Sequence, residues 1–115
     1  MAEFIVVAGC PCSGKSTYIN KNKHEDEPVF KVDGFHNDPI SVANSRREFI
    51  NSHKHSPGRA WIEICSFSKS LMIDLRGCSY MLKKMNTSYD QIIKNLESSD
   101  RRNKREWKEI IDKYF

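Results

Sequence analysis

The sequence predicts an α/β fold with a parallel sheet of about four strands, in the order 2-3-1-4, and helices on both faces. Strand-like and helix-like patterns alternate along the chain, which is typical of parallel strands joined by right-handed crossovers. The first apolar run, Phe4 to Ala8, leads directly into a glycine-rich turn and a helix-compatible segment. A chain of 115 residues supports one core and leaves no room for a separate substrate domain. We therefore interpret residues 1–115 as a single domain.

The turn after the first strand carries a phosphate-binding motif. Its fixed positions, Gly9, Gly14, Lys15 and Ser16, match the pattern G-x-x-x-x-G-K-S/T. In such a loop the backbone N–H groups point at a phosphate, and the following helix directs its positive end at it. Lys15 is expected to reach the β- and γ-phosphates of ATP or GTP, and the Ser16 hydroxyl to bind Mg²⁺. The predicted nucleotide-binding residues are Gly9, Cys10, Pro11, Cys12, Ser13, Gly14, Lys15, Ser16 and Thr17.

Shorter signals predict the elements that follow. Helix one continues from Ser16 to about Asn20. Strands two and three are predicted over 28–33 and 59–65, because both segments are rich in β-branched and aromatic residues. Asp38-Pro39 gives the start signal of helix two, which extends to about Ser52.

The second half of the chain predicts three helices around strand four. A short helix begins after Ser68 and ends before Gly77, and strand four covers 78–82. Two helices then carry apolar residues at i, i+3, i+4 and i+7. Their stripes are Tyr89, Ile92, Ile93 and Leu96, and Trp107, Ile110, Ile111 and Tyr114. Both stripes are interpreted as faces that pack on the core.

The end of strand two offers a candidate for chemistry. Ligands of open parallel sheets bind at the carboxyl ends of the strands, which is where Asp33 falls. The alternative is structural, because Asp33-Gly34 is also a typical turn sequence. Both interpretations remain open from the residues alone.

The acidic ligand for Mg²⁺ is also left open. Phosphate-loop proteins usually place an acid after strand three, but here Ser66 follows the strand and its only acid, Glu63, lies within it. Either Ser16, phosphates and water hold the ion, or Glu63 reaches it.

Zinc binding by Cys10, Cys12 and a third ligand is a weaker alternative, because C-x-C is not a standard zinc spacing. The segment His53-Lys54-His55 is interpreted as exposed polar residues.

Charge and cysteine content suggest partners and compartment. The net charge is +4, and Arg101, Arg102, Lys104 and Arg105 lie together, which fits phosphate-bearing partners or simply a solvated face. The four cysteines do not form a secreted disulfide pattern, and no stretch is long and apolar enough for a membrane span. The first residues lack the basic region of a secretory signal. We expect a cytoplasmic protein with reduced thiols, and no membrane partner.

Two further features near the phosphate loop, an arginine-rich segment and the thiol of Cys12, lead to predictions. Residues 98–105 follow strand four, where an arginine-rich lid over the transferred phosphate would lie, and arginine suits this role because its fork binds phosphate oxygens in pairs. Cys12 lies at the start of helix one, whose positive end favours a thiolate. We therefore expect Cys12 to react faster with alkylating agents than Cys65 or Cys78.

These motifs together resemble those of a known family. The loop Gly9 to Tyr18, the segment Val32 to His36 and the arginines after strand four are similar to the 5′-kinase domain of phage polynucleotide kinase. More broadly, they resemble the small P-loop kinases that include zeta toxins. The likeness covers nearly the whole chain in the order of its elements, but only the phosphate loop is strong as a motif.

The resemblance implies roles for individual residues. Asp33 would be the general base that accepts the proton of the acceptor hydroxyl. His36 stands where the family has an arginine that contacts the acceptor's phosphate, so it is the candidate substrate-binding residue. Arg101 and Arg102 would be the lid arginines. Cys12 replaces a glycine or small residue of the family's loop.

The sequence thus predicts an ATP-dependent phosphotransferase with bound Mg²⁺. Its acceptor would be a hydroxyl of a nucleic acid 5′ end, a nucleoside or a nucleotide, with Lys15, Asp33, Arg101 and Arg102 as catalytic residues. The alternative is a nucleotide-binding module without transfer activity, which Cys12, His36 and the missing acid after strand three favour. A nucleoside triphosphatase would require a water-positioning residue that the sequence does not identify.

Overall fold

The computed structural model describes residues 2–31, 39–65 and 68–115, without the side chains of Pro39 and Tyr114. Asp33 and His36, two of the predicted site residues, lie outside the described residues. The elements in chain order are β1 (Glu3–Ala8), α1 (Lys15–Asn22), β2 (Val29–Phe30), α2 (Pro39–His53), β3 (Arg59–Ile64), α3 (Lys69–Asp74), β4 (Ser79–Lys84), α4 (Tyr89–Glu97) and α5 (Lys104–Tyr114).

The strands form a four-stranded, all-parallel sheet in the order β2-β3-β1-β4, which confirms the predicted fold class and strand order. β1 is central and pairs along its whole length with β3 and β4. Val6, for example, lies opposite Ile62 on one side and Leu82 on the other. A central parallel strand is buried on both faces, which explains why β1 is apolar at nearly every position.

Helices cover both faces of this sheet, as predicted. Phe4 and Val6 point to one face, where they join a buried cluster with Ile50 of α2 and Leu71 of α3. Ile5 and Val7 point to the other face and pack with Ile19 of α1 and Trp61 of β3. This division follows from the alternation of side chains along a strand.

The last two helices lie beside the phosphate loop. Ile92 and Leu96 of α4 and Ile111 of α5 form a third buried cluster, whose fourth member is Cys10 of the loop. The stripe of α4 packs in this cluster as predicted, and so do Trp107 and Ile111 of the α5 stripe. They tie the end of the chain to the loop near its beginning.

Two strands differ in length from the prediction. β2 is limited to Val29–Phe30 in the described residues, opposite Trp61 and Ile62, and Lys31 lies after its end. β4 continues to Lys84, because Lys83 and Lys84 pair with Val7 and Ala8 of β1. Among the described residues, no helix combines the length and the hydropathy that crossing a bilayer requires.

Candidate phosphate-binding site

The loop between β1 and α1 makes the turn that the motif requires. Gly14, directly before α1, has φ 93°, a left-handed conformation that glycine adopts without steric cost. Cys12 is also left-handed, with φ 66°. Few non-glycine residues adopt this conformation, so Cys12 occupies a backbone position that suits glycine better.

The first turn of α1 has no side-chain cap, because its N-cap residue is Gly14. By contrast, Ser68 and Ser88 cap α3 and α4, and each hydroxyl accepts a hydrogen bond from a backbone N–H of the first turn. The first N–H groups of a helix have no partner within it, and together with the helix dipole they attract anions. The start of α1 is thus built to receive an anion, as the motif predicts.

Two side chains from the second half of the chain, Thr87 and Asn95, donate hydrogen bonds to carbonyl groups of the loop. Thr87 Oγ1 donates to the Ser13 carbonyl at 2.6 Å, and Asn95 Nδ2 donates to the Cys12 carbonyl at 2.9 Å. Since the carbonyl and the following N–H of a planar trans peptide point in opposite directions, the Gly14 N–H is directed away from Thr87. These contacts hold the loop in one orientation without occupying that donor.

Lys15 is buried, with only 8% of its surface exposed. Its ammonium group donates to the Ile64 carbonyl at 3.2 Å, at the carboxyl end of β3, and lies 3.7 Å from Cys65 Sγ. Within the described ranges, no ion pair includes Lys15. Its described partners are a neutral carbonyl and a thiol, so an anionic ligand would complete the pairing of this buried group.

Ser16 follows Lys15 and contacts an acid on the neighbouring strand. Its hydroxyl donates to the Glu63 carboxylate, 3.0 Å from Oε1 and 3.2 Å from Oε2. The sequence left open whether Glu63 comes near Ser16, and the structure brings the two together. A hydroxyl and a carboxylate are hard oxygen ligands that suit Mg²⁺, which usually binds one or two carboxylates and keeps several waters.

Other metal sites that the sequence raised are not formed by the described residues. No three His, Cys, Asp or Glu side chains come together there to hold a metal ion, which excludes a zinc site of Cys10, Cys12 and a described third ligand. The four cysteines are free thiols.

The acidity expected for Cys12 was wrong. Burial is the largest influence on this thiol and raises its pKa, although the positive charges of Arg101 and Lys15 lower it. Burial likewise raises the pKa of Cys10, against the effect of Lys15. Burial of both thiols against α4 and α5 therefore outweighs the positive charge of Lys15 near them.

The predicted lid arginines differ in their surroundings. The guanidinium of Arg101 stacks on the ring of Trp107, 4.3 Å from its centroid, and its charge acts on Cys12. Arg102 is exposed. The basic segment is thus connected to the loop through Arg101.

The structure brings the loop, Lys15 and Ser16 together with residues that sequence reasoning had not assigned to the site. Glu63 was identifiable as the only acid of strand three. Ser88 alone caps α4, and the neighbouring Thr87 bonds to the loop instead. Asn95 carried no motif, because its contact with Cys12 joins segments 83 positions apart. Trp107 belonged to the predicted apolar stripe of α5, which gave no sign of its contact with Arg101.

The fold and the loop together define a parallel α/β domain compatible with the P-loop class. No protein-family model matches the chain. No significant match to a curated protein was found either.

Proposed function

We propose that this chain is a small ATP-dependent kinase that transfers a γ-phosphoryl group to a hydroxyl of a nucleic acid 5′ end, a nucleoside or a nucleotide. The observation that carries the proposal is the buried ammonium of Lys15, held by a carbonyl beside an uncapped helix start. An anionic ligand would pair with this buried group, and the motif fits a nucleoside triphosphate.

Each remaining part of the site has a role in this proposal. Backbone N–H groups at the start of α1 bind the β-phosphate. The ammonium group of Lys15, which lies at the carboxyl end of β3, contacts the β- and γ-phosphates. Ser16 and Glu63 would hold Mg²⁺, which neutralises charge on the phosphate oxygens when bound. Thr87 and Asn95 keep the loop in its binding orientation.

The transfer step rests on Asp33 and an arginine. Asp33 accepts the proton of the acceptor hydroxyl while the hydroxyl oxygen attacks the γ-phosphorus, and ADP leaves. Arg101 or Arg102 stabilises the charge on the transferred group, and His36 contacts the acceptor. We place the reaction in the cytoplasm, which the four free thiols support.

Nucleotide binding is tested first, with Lys15→Ala. Loss of a charged hydrogen-bond donor costs roughly 1.5–3 kcal/mol, so ATP affinity should fall at least about tenfold. The matched control is Lys21→Ala, which removes an exposed lysine from the same helix. Calorimetric titration with Mg-ATP measures both, and unchanged affinity in a folded Lys15→Ala protein would refute the proposed site.

Transfer is tested separately, with γ-labelled ATP and a panel of acceptors. The panel contains 5′-hydroxyl DNA and RNA, nucleosides and nucleoside monophosphates, and label transfer is compared with hydrolysis. Asp33→Asn should bind Mg-ATP as the parent does and lose transfer, while Asp26→Asn, an exposed control, should keep it. ATP binding without transfer to any acceptor would favour the non-catalytic module, and hydrolysis alone would favour a triphosphatase.

A further inference from the structure

Arg101 and Trp107 form a stacked pair at the start of α5. The guanidinium carbon lies 4.3 Å from the ring centroid, well inside the distance at which a cation and an aromatic face attract. Trp107 is partly buried and packs against the cluster of Ile92, Leu96 and Ile111. The ring therefore has a fixed position, and the arginine on it is held with it.

The segment that carries Arg101 is itself ordered by short hydrogen bonds. Ser99 Oγ donates to the Leu96 carbonyl at 2.7 Å, and Lys104 Nζ donates to the Glu97 carbonyl at 2.6 Å. Both bonds satisfy carbonyls at the end of α4, where a helix lacks internal partners. The connection between α4 and α5 is thus a tight link, so the position of Arg101 depends mainly on its own side chain.

This stacked position lies beside the phosphate loop. Cys12 of the loop packs against the same cluster as Trp107. The charge of Arg101 is the strongest of those acting to stabilise the Cys12 thiolate. Arg101 is therefore held close to the loop, whereas nothing comparable is seen for Arg102 within the described part of the chain.

We propose that Trp107 is a positioning residue that holds Arg101 over the phosphate loop, which makes Arg101 rather than Arg102 the arginine that binds the transferred phosphate. This inference rests on the proposed function. Stacking uses the face of the guanidinium and leaves its N–H donors at the edge for phosphate oxygens. Arginine's long side chain would otherwise lose much rotational freedom on binding, so ordering it in advance favours transfer.

The first test is a double-mutant cycle on transfer rate with Mg-ATP. Trp107→Leu keeps an apolar side chain without an aromatic face, whereas Trp107→Phe keeps a face. We expect Trp107→Leu to lower kcat about fivefold with little change in ATP affinity, and Trp107→Phe to restore most of that loss. In an Arg101→Ala background, Trp107→Leu should have no further effect on kcat.

A packing role for Trp107 predicts a different result. Leu and Phe variants would then lower melting temperature and kcat together, and the effect would persist without Arg101. Lys108→Ala, which removes an exposed charge from the same helix, is the control for general electrostatic effects and should leave kcat unchanged.

The second test observes the stack directly and needs no acceptor. The chain has two tryptophans, so protein containing fluorinated tryptophan gives two fluorine NMR signals, assigned through Trp107→Phe. The Trp107 signal should shift in Arg101→Ala but not in Lys108→Ala, and should respond to Mg-ATP only when Arg101 is present. Trp61, which packs in a separate buried cluster with Ile5, Val7 and Ile19, is the internal reference.

The outcomes separate the two proposals. If ATP binds and the Trp107 signal ignores both Arg101 and nucleotide, or the double-mutant cycle is additive, this inference is overturned and the kinase proposal stands. If Arg101 controls the Trp107 signal but Mg-ATP binds equally to parent and Lys15→Ala proteins, the proposed function fails and the positioning role fails with it.

Discussion

The Ser16 hydroxyl donates to the carboxylate of Glu63, 3.0 Å from Oε1. Glu63 pairs with Val7 in the sheet, so its side chain points to the face that α1 covers. Ser16 lies in the first turn of α1 on that same face. Under the proposed function, Glu63 takes the place of the acid that phosphate-loop proteins usually carry after strand three.

Glu63→Gln should make the protein need more Mg²⁺. The amide still accepts a hydrogen bond from Ser16 but no longer offers a charged ligand, and loss of such a group typically costs about tenfold or more in metal affinity or activity. Titrating Mg²⁺ at fixed ATP, with binding followed by calorimetry, measures the shift. Glu109→Gln, an exposed acid on α5, is the control, and an identical Mg²⁺ dependence in Glu63→Gln would remove Glu63 from the metal site.

Alanine at Gly9 and alanine at Gly14 should each lower the free energy of unfolding, but for different reasons. A Cβ on Gly9 would lie 2.6 Å from Ser13 Oγ and 3.0 Å from Met85, so Gly9→Ala should lose about 1–3 kcal/mol by overpacking. A Cβ on Gly14 would have space, but the alanine must keep the φ of 93°, which costs about 1–2 kcal/mol.

Ser13→Ala distinguishes these two causes. The Ser13 hydroxyl is buried and has no hydrogen-bond partner among the described residues, so its removal costs little by itself. It should recover part of the stability lost in Gly9→Ala, because the Met85 contact remains, and leave Gly14→Ala unchanged, as measured by urea unfolding. Rescue of both variants, or of neither, would contradict the assigned causes.

Cys12 should react slowly with alkylating agents at neutral pH, because burial raises its pKa above the ordinary value of 9.0. The rate should rise with pH beyond that value. Arg101→Ala should slow the reaction further, since the arginine's positive charge favours the thiolate. Mass spectrometry of alkylated peptides measures the rate, with Lys108→Ala as control. A Cys12 thiol that is already fully reactive at neutral pH would show that the helix end dominates after all.

Glu27 should make folding sensitive to acid. Desolvation is the largest influence on this carboxyl and would raise its pKa, but hydrogen bonds from Arg59, the His24 N–H and Trp61 together lower it to about 2. Its stabilising contribution is present above its ordinary pKa of 4.5 and is lost as the pH falls toward about 2.

The measurement is melting temperature against pH between these two values. Glu27→Gln should melt lower than the parent at neutral pH and show a weaker dependence across this window. Glu25→Gln, a nearby exposed acid, is the control. Parallel curves for parent and Glu27→Gln proteins would show that other carboxylates cause the acid sensitivity.

Much of the fold could be predicted because it depends on local patterns. The alternation of strands and helices, the continuous apolar run of β1 and the periodic stripes of α4 and α5 all had direct signals, and the sheet order followed. The ends of β2 and β4 were less predictable. Strand length depends on the partner, and β4 continues to Lys84 because β1 continues to Ala8.

The sequence by itself determined the position of the phosphate loop, because its glycine spacing, Lys15 and Ser16 form one local motif that the start of α1 completes. Only the tertiary structure decided what surrounds that loop. Ser16 of α1 contacts Glu63 of β3, Asn95 binds the Cys12 carbonyl across 83 positions, and Arg101 stacks on Trp107. Such contacts depend on how the parallel sheet and the last two helices pack, and a linear pattern of residues contains no direct record of that packing.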